Sequence, residues 1–330
     1  MTGEFDFIHN LLNKTTKNKP RFSAVKTGIG DDCAVISQNS KTDLVITADM
    51  LVEDIDFRLD WTRAEFIGHK ALAVSLSDIA AMGAKPLWAL VSIGIPEKIW
   101  KTDFVEKFYA GWFDLAKKFN VELVGGDVSR TPDKIVIDSI VAGEAKKNRA
   151  ILRNGAQAGD LIFVTGKLGG AAAGLRLLES GFRLDSEKGS RKNFIRKQLA
   201  PNPRVEVGLK LSEKKLATAM LDLSDGLSSD LSHLCRASKV GARLIAEKIP
   251  LQKNLFQVLK QNEDVISFAL NGGEDFELLF TVRPKDKNRL EKLLGKKTTC
   301  IGQITDNVGK IELICESKTT MLEPQGFRHF

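Results

Sequence analysis

Aspartates beside glycine or another small residue recur along much of the chain: Gly30-Asp31-Asp32, Thr47-Ala48-Asp49, Leu76-Ser77-Asp78, Gly125-Gly126-Asp127 and Asp222-Leu223-Ser224-Asp225-Gly226. Each follows an apolar run or lies within one, so strand ends and helix ends would carry these side chains into a cleft. If they converge, cations must sit among them. Two unit charges about 4 Å apart repel by roughly 4 kcal/mol at an effective dielectric of about 20, and several such pairs exceed the net stability of a domain. Carboxylates around a hard ion, with substrate phosphates completing its shell, are how proteins hold magnesium. The pattern therefore points to the chemistry of Mg²⁺ and a nucleotide.

Each motif also has a plain structural reading. Asp31 and Asp32 follow a glycine turn and precede a buried strand, where they would equally serve to cap the turn. On a helix, Asp78 shares a face with Ile67, Ala71 and Val74, near the negative end of the helix dipole, so something positive should compensate it; a salt bridge to Lys85 would do so. Gly125-Gly126-Asp127 after Val121-Glu-Leu-Val124 reads as a strand, a close backbone approach and then an acid facing a ligand. In Asp222 to Asp230 a strand end meets a helix start, and Ser224 or Asp225 would suit an N-cap. Asn271-Gly-Gly-Glu-Asp-Phe-Glu-Leu-Leu-Phe280 repeats the scheme of glycine pair, acids and buried strand. The turn Thr165-Gly-Lys-Leu-Gly-Gly170 could cradle an anion through its N–H groups or simply pack a helix on a sheet. It is no Walker A loop, since Leu168 follows Lys167 and position 161 is not glycine, and no G-x-G-x-x-G fingerprint follows a strand. His9, His69, His233 and His329 have no mutual spacing for metal ligation or a triad.

The elements that must position these residues alternate between strand and helix. Leu44-Val-Ile-Thr-Ala48, Pro86 to Ile95 and Ile135 to Ala142 read as strands, Ala64 to Met82 as a helix stopped by Gly83, and Lys101 to Asn120 as a second helix. The basic, glycine-dotted segment Gly143 to Gly159 precedes a new strand at Asp160. It predicts a boundary between an N-terminal domain of residues 1–147 and a C-terminal one of 148–330. Without a regular βαβ rhythm, the mix favours α+β or mixed α/β halves over a doubly wound sheet. At 330 residues and 43% hydrophobic content the chain can bury a full core. It has no apolar stretch long enough to span a membrane and no signal-peptide pattern at Met1 to Asp6, so a cytoplasmic location is expected. Cys33, Cys235, Cys300 and Cys315 are scattered, which favours reduced thiols over disulfides or a zinc site. The net charge of +7 is densest at Lys188 to Lys197, read as a solvated helix face rather than a nucleic-acid site because aromatics for stacking are too few.

Taken in order, Glu4-Phe5, Gly-Ile-Gly-Asp-Asp32, Asp49-Met-Leu-Val-Glu53, Lys70-Ala-Leu-Ala-Val-Ser-Leu-Ser-Asp-Ile-Ala-Ala-Met-Gly-Ala84, Gly-Gly-Asp127, Asp-Leu-Ser-Asp-Gly226 and Gly-Gly-Glu-Asp-Phe-Glu277 form a signature. It closely resembles the thiamine-monophosphate kinase family, within the ATP-binding superfamily of aminoimidazole ribonucleotide synthetase, from about residue 4 to Gly326-Phe327. The resemblance implies a two-domain mixed α/β (PurM-like) fold, a homodimer through the N-terminal domain and an active site between the domains. It implies ATP-dependent phosphorylation of thiamine monophosphate with several Mg²⁺ ions, by direct in-line transfer. Carried over by motif, the metal ligands fall on Asp32, Thr47, Ala48, Asp49, Asp78, Asp127, Asp222 and Asp225. At Ala48 the family usually has a hydroxyl residue, so a contact there would come from the backbone. ATP contacts fall on Tyr109, Gly126, Asp127, Arg153 and Ser224, and the catalytic roles on Asp49, Asp127 and Arg153. Substrate contacts fall on Glu274 and Phe327, with Asp56 where the family usually has histidine. Asp56 would either attract the permanently charged thiazolium ring or join Glu53 and Asp54 in an acidic loop facing Arg58 or Arg63. The acceptor is a phosphate with a second pKa near 6, already ionised near neutral pH, so no general base is required. This accounts for a pattern rich in aspartate and poor in nucleophiles. Alternatives are a selenophosphate synthetase-like or hydrogenase-maturation enzyme of the same superfamily, each disfavoured by the cysteine placement, or a catalytically silent nucleotide-binding subunit.

Overall fold

The computed structural model describes residues 7, 8, 11, 23–260, 263–316 and 318–327. Glu4-Phe5, His9 and His329 lie outside the described residues. The first sheet has the order β1-β2-β3-β6-β4-β5, formed by β1 (Val25–Thr27), β2 (Ala34–Ser37), β3 (Thr42–Val52), β4 (Lys85–Pro96), β5 (Glu122–Thr131) and β6 (Val136–Lys146). Its neighbours run antiparallel except β4 and β5, which are parallel. The second sheet has the order β13-β12-β9-β11-β7-β10-β8. Its strands are β7 (Leu161–Thr165), β8 (Ala217–Asp222), β9 (Gly241–Ile245), β10 (Leu278–Val282), β11 (Thr298–Thr305), β12 (Ile311–Cys315) and β13 (Lys318–Met321). The predicted mixed α/β architecture is the one found.

Helix α1 (Ala64–Ala81) positions the site. It is apolar nearly all round, with Ile67, Leu72, Leu76 and Ile79 fully buried, and a helix with no polar stripe must be covered on every side. It lies over β3 and β6 of the first sheet, beside α2 (Phe104–Phe119), and reaches β8 in the second half. One core cluster accordingly joins Ile79, Phe108 and Trp112 of the first half to Phe163, Met220 and Phe280 of the second. The remaining long helices, α3 (Gly170–Glu179), α4 (Gly189–Leu199), α5 (Val205–Lys214) and α6 (Leu227–Ser238), belong to the second half, as do the shorter α7 (Ile266–Asn271) and α8 (Lys287–Leu294). Among the described residues no helix is long and apolar enough to cross a membrane. The basic run at Lys188 to Lys197 falls largely on α4, whose other face buries Phe194 and Ile195.

The α1–α2 crossing depends on two glycines. A Cβ on Gly68 would stand 1.9 Å from the Phe108 carbonyl oxygen, and one on Gly111 1.8 Å from that of Glu65. The helix backbones therefore touch, and an added methyl must push them apart. Gly111→Ala is expected to lower stability by about 1–3 kcal/mol through overpacking, read as a lower Tm with retained secondary structure. An unchanged Tm would show that the helices separate at no cost.

Candidate active site

Three carboxylates meet where the two halves touch. Asp32 follows the glycine turn before β2, Asp78 stands in the last turn of α1, and Asp222 ends β8; one oxygen of each lies within 4.8 Å of the other two. Every one is steered by a neighbour. The Thr47 hydroxyl of β3 donates to Asp78 (2.5 Å), and the Ser77 hydroxyl donates to Asp222 (2.5 Å). The positive partner expected for Asp78 is thus replaced by a neutral donor rather than Lys85. The Arg153 guanidinium donates through Nε to Asp32 (3.1 Å) and forms an ion pair with it, while the Arg153 N–H donates to Asp31 (3.1 Å). Asp49, also on β3, takes the Ser75 hydroxyl of α1 (2.7 Å).

The electrostatics of this group are unfavourable in the bare chain. Burial first, then the Asp49 and Asp222 charges, hold the Asp78 carboxyl well above the usual carboxylate range. Burial and Asp32 push Asp222 up to about 8, and burial raises Asp49 to about 6 and, with Asp32, Asp31 to about 7. Asp32 Oδ2 is buried and has no hydrogen-bond partner among the described residues. A buried carboxylate oxygen without a donor beside two further carboxylates is a costly arrangement that a bound cation relieves. The donors are all hard oxygens, which suits Mg²⁺ rather than a soft metal.

A cleft of about 430 Å³ opens beside the cluster. Asp49, Asp56, Ser224, Asp225, Glu274 and Phe327 are among the residues that line it. Backbone bonds bring these distant segments together. Glu274 N–H donates to Ser224 O (2.8 Å), Phe276 N–H to Leu223 O (2.9 Å) and Phe327 N–H to Asp225 O (3.1 Å). Neither Ser224 nor Asp225 caps α6, whose N-cap is Gly226; instead Asp230 turns back from the helix and accepts the Gly226 N–H (3.0 Å). Asp56 Oδ2 accepts the Val52 N–H (2.7 Å). Of the acidic loop, Glu53 binds the Ile135 N–H and Asp54 pairs with Lys134 and feels the Arg58 charge, while Arg58 itself pairs with Asp60 and Arg63 approaches Asp185.

Other expected residues stand apart within one chain. Tyr109 is on α2 between Phe108 and Phe113, with ring centroids 5.2 and 6.0 Å away, and does not line the cleft. Gly126 and Asp127 are exposed in the middle of the edge strand β5, paired with Val91 and Ser92, rather than at a strand end. Ala48 is exposed on β3. The glycine turn before α3 does cradle an anion, but it is the chain's own: Asp275 accepts the N–H groups of Gly169 (2.5 Å) and Ala171 (3.1 Å). Sequence reasoning missed Lys70, which is buried inside α1 with its ammonium 2.5 Å from Glu274. A lone lysine among the apolar residues of a helix without a polar stripe was the available signal.

Residues 30–145 match the N-terminal domain of the AIR synthase related proteins, and residues 157–314 match the C-terminal domain. The chain is 37% identical over 331 residues to the thiamine-monophosphate kinase of Bacillus subtilis (strain 168), covering 99% of each. It is 36% identical over 333 residues to the thiamine-monophosphate kinase of Escherichia coli (strain K12), covering 99% of this chain and 98% of the relative. The solved structure of AaThiL complexed with AMPPCP and TMP superposes with a TM-score of 0.85 at 35% identity, covering 99% of this chain and 97% of that one.

Proposed function

The chain belongs to the AIR synthase related family and, within it, to the thiamine-monophosphate kinases, and we propose from that footing how its residues move a phosphoryl group from ATP to thiamine monophosphate. The convergence of Asp32, Asp78 and Asp222 around a buried, partnerless oxygen carries the reading. These three carboxylates would hold Mg²⁺, with Thr47, Asp49 and Asp225 beside them. When bound, the ions neutralise charge on the phosphates and on the group in flight.

The chain's own side chains do the rest. Arg153 holds Asp32 and adds positive charge on the phosphate side, while Ser75 and Ser77 fix the orientations of Asp49 and Asp222. Glu274, Phe327 and Asp56, on the cleft wall, receive the thiamine moiety, and Ser224 lies beside the phosphates. The acceptor phosphate oxygen attacks the γ-phosphorus, the bond from that phosphorus to the β,γ-bridging oxygen breaks, and ADP leaves with the electron pair. No base is needed for an acceptor already ionised. Tyr109, Gly126 and Asp127 belong to this proposal through a second copy of the chain. The exposed edge strand β5, with Val124 and Val128 about half exposed, supports pairing of N-terminal halves in a homodimer. The division at 147/148 and a cytoplasmic location form part of the same reading.

The test is turnover of thiamine monophosphate by the purified protein with ATP and Mg²⁺, using a chiral γ-thiophosphate donor. Thiamine diphosphate should form only with metal, and a single displacement should invert configuration at phosphorus. Absence of the diphosphate product would defeat the reading. Net retention would mean that a side chain had carried the phosphoryl group.

A further inference from the structure

Lys70 is placed where a helix residue has no local reason to be charged. It stands on α1 between Ile67 and Val74, and its side chain is 4% exposed. Removing an ammonium from water is costly unless its partners are well placed, and a buried ion pair is weak evidence for stability. The partners here come from both sides of the cleft. Nζ is 2.5 Å from Glu274 Oε1, in the loop between α7 and β10 of the second half, and 3.0 Å from the Asp56 carbonyl oxygen, in the loop after β3 of the first. The other Glu274 oxygen accepts the side-chain amide N–H of Gln198 on α4, itself 5% exposed. Glu274 thus has each oxygen bound by a different buried donor. Its backbone is also held in an unusual state, with φ of 64° at Glu274 and 46° at Phe276, conformations that L-residues adopt at a cost. The Asp275 carboxylate pins the same loop to the N-terminal turn of α3.

We propose that Lys70 is a positioning residue for the acceptor substrate: it fixes the Glu274 carboxylate and the Asp56 loop to each other across the cleft and so sets the shape of the wall that receives the thiamine moiety. This rests on the reading that Glu274 and Asp56 face that substrate. Because Lys70 cancels the Glu274 charge, the pair presents a placed but nearly neutral surface to the cationic thiazolium ring. Simple charge attraction makes the opposite prediction, since removing Lys70 would then unmask Glu274 and tighten binding.

The experiment is steady-state kinetics of Lys70→Met, Glu274→Gln and the double variant, with thiamine monophosphate varied at saturating ATP and then the reverse. A bond to a charged group is worth enough that the KM for thiamine monophosphate should rise roughly 10- to 100-fold in Lys70→Met. The KM for ATP should stay unchanged, which a general loss of folding would not permit. If Lys70 acts through Glu274, the double variant should be no worse than the poorer single one. A KM for thiamine monophosphate at or below the wild-type value, equal rises in both KM values, or additive effects in the double variant would each overturn the inference. A wild-type protein that does not turn over thiamine monophosphate would instead defeat the functional reading itself.

Discussion

Asp222→Asn is expected to lower kcat by roughly 10³-fold while making the metal-free protein more stable above about pH 8. The loss follows from replacing one of the three clustered carboxylates with a neutral amide, a much poorer ligand for a hard cation. The gain follows from the same crowding. Burial and the Asp32 charge raise the Asp222 carboxyl from its ordinary 3.8 to about 8 in the folded chain. Folding therefore favours the protonated form. The stability this contributes is fully present below the unfolded value and is lost as pH rises through the folded one. Asparagine cannot ionise and cannot lose it. Thermal melts in EDTA should show the variant above wild type at pH 8.5 to 9, with the gap closing towards pH 4. Added Mg²⁺ should raise the wild-type Tm and leave the variant nearly unmoved. A variant with near-normal turnover, or one less stable than wild type throughout that range, would remove Asp222 from the metal site.

Arg153→Ala is expected to act in the opposite sense on stability. Its guanidinium is the positive charge bonded to Asp32, whose side chain is fully buried, while its backbone N–H, which alanine keeps, donates to Asp31. Cutting the side chain back leaves the carboxylates without it, and breaking a buried pair by removing one partner costs about 3–5 kcal/mol. The metal-free variant should melt well below wild type. It should recover more Tm on adding Mg²⁺ than wild type does, because a cation replaces the lost charge. Turnover should nonetheless stay roughly 10²- to 10³-fold down, since stabilising charge aimed at the transferring group is gone. Arg153→Lys keeps a charge but not the fork that binds Asp32, so its activity should fall nearly as far. Wild-type kcat in Arg153→Lys would reduce Arg153 to a counter-ion.

The parts of this site legible in the sequence were those with a local cause. Asp32, Asp78 and Asp222 stand after a glycine turn, in the last turn of an apolar helix and at the end of a buried strand, so a mixed fold had few other places to send them. What stayed hidden depended on partners far along the chain. The turn at Gly166 to Gly170 carries the signal of an anion cradle, but its occupant, Asp275, lies 106 residues beyond Gly169. Glycines after Val124 read as the end of a strand, yet β5 runs on to Thr131; at Gly126 a Cβ would stand 1.8 Å from the Val91 carbonyl oxygen, so the glycine serves close pairing with β4. Lys70 looked like an ordinary helix residue because its partners come from two other loops.

A metal held by Asp32, Asp78 and Asp222 is tested most directly by anomalous diffraction from crystals of the protein soaked with Mn²⁺ and a non-hydrolysable ATP analogue. An anomalous peak within bonding distance of an oxygen from each of the three aspartates, lost in Asp222→Asn, is the predicted result. A crystal in which the analogue is bound, Mn²⁺ is saturating and no peak lies among these three carboxylates would contradict it.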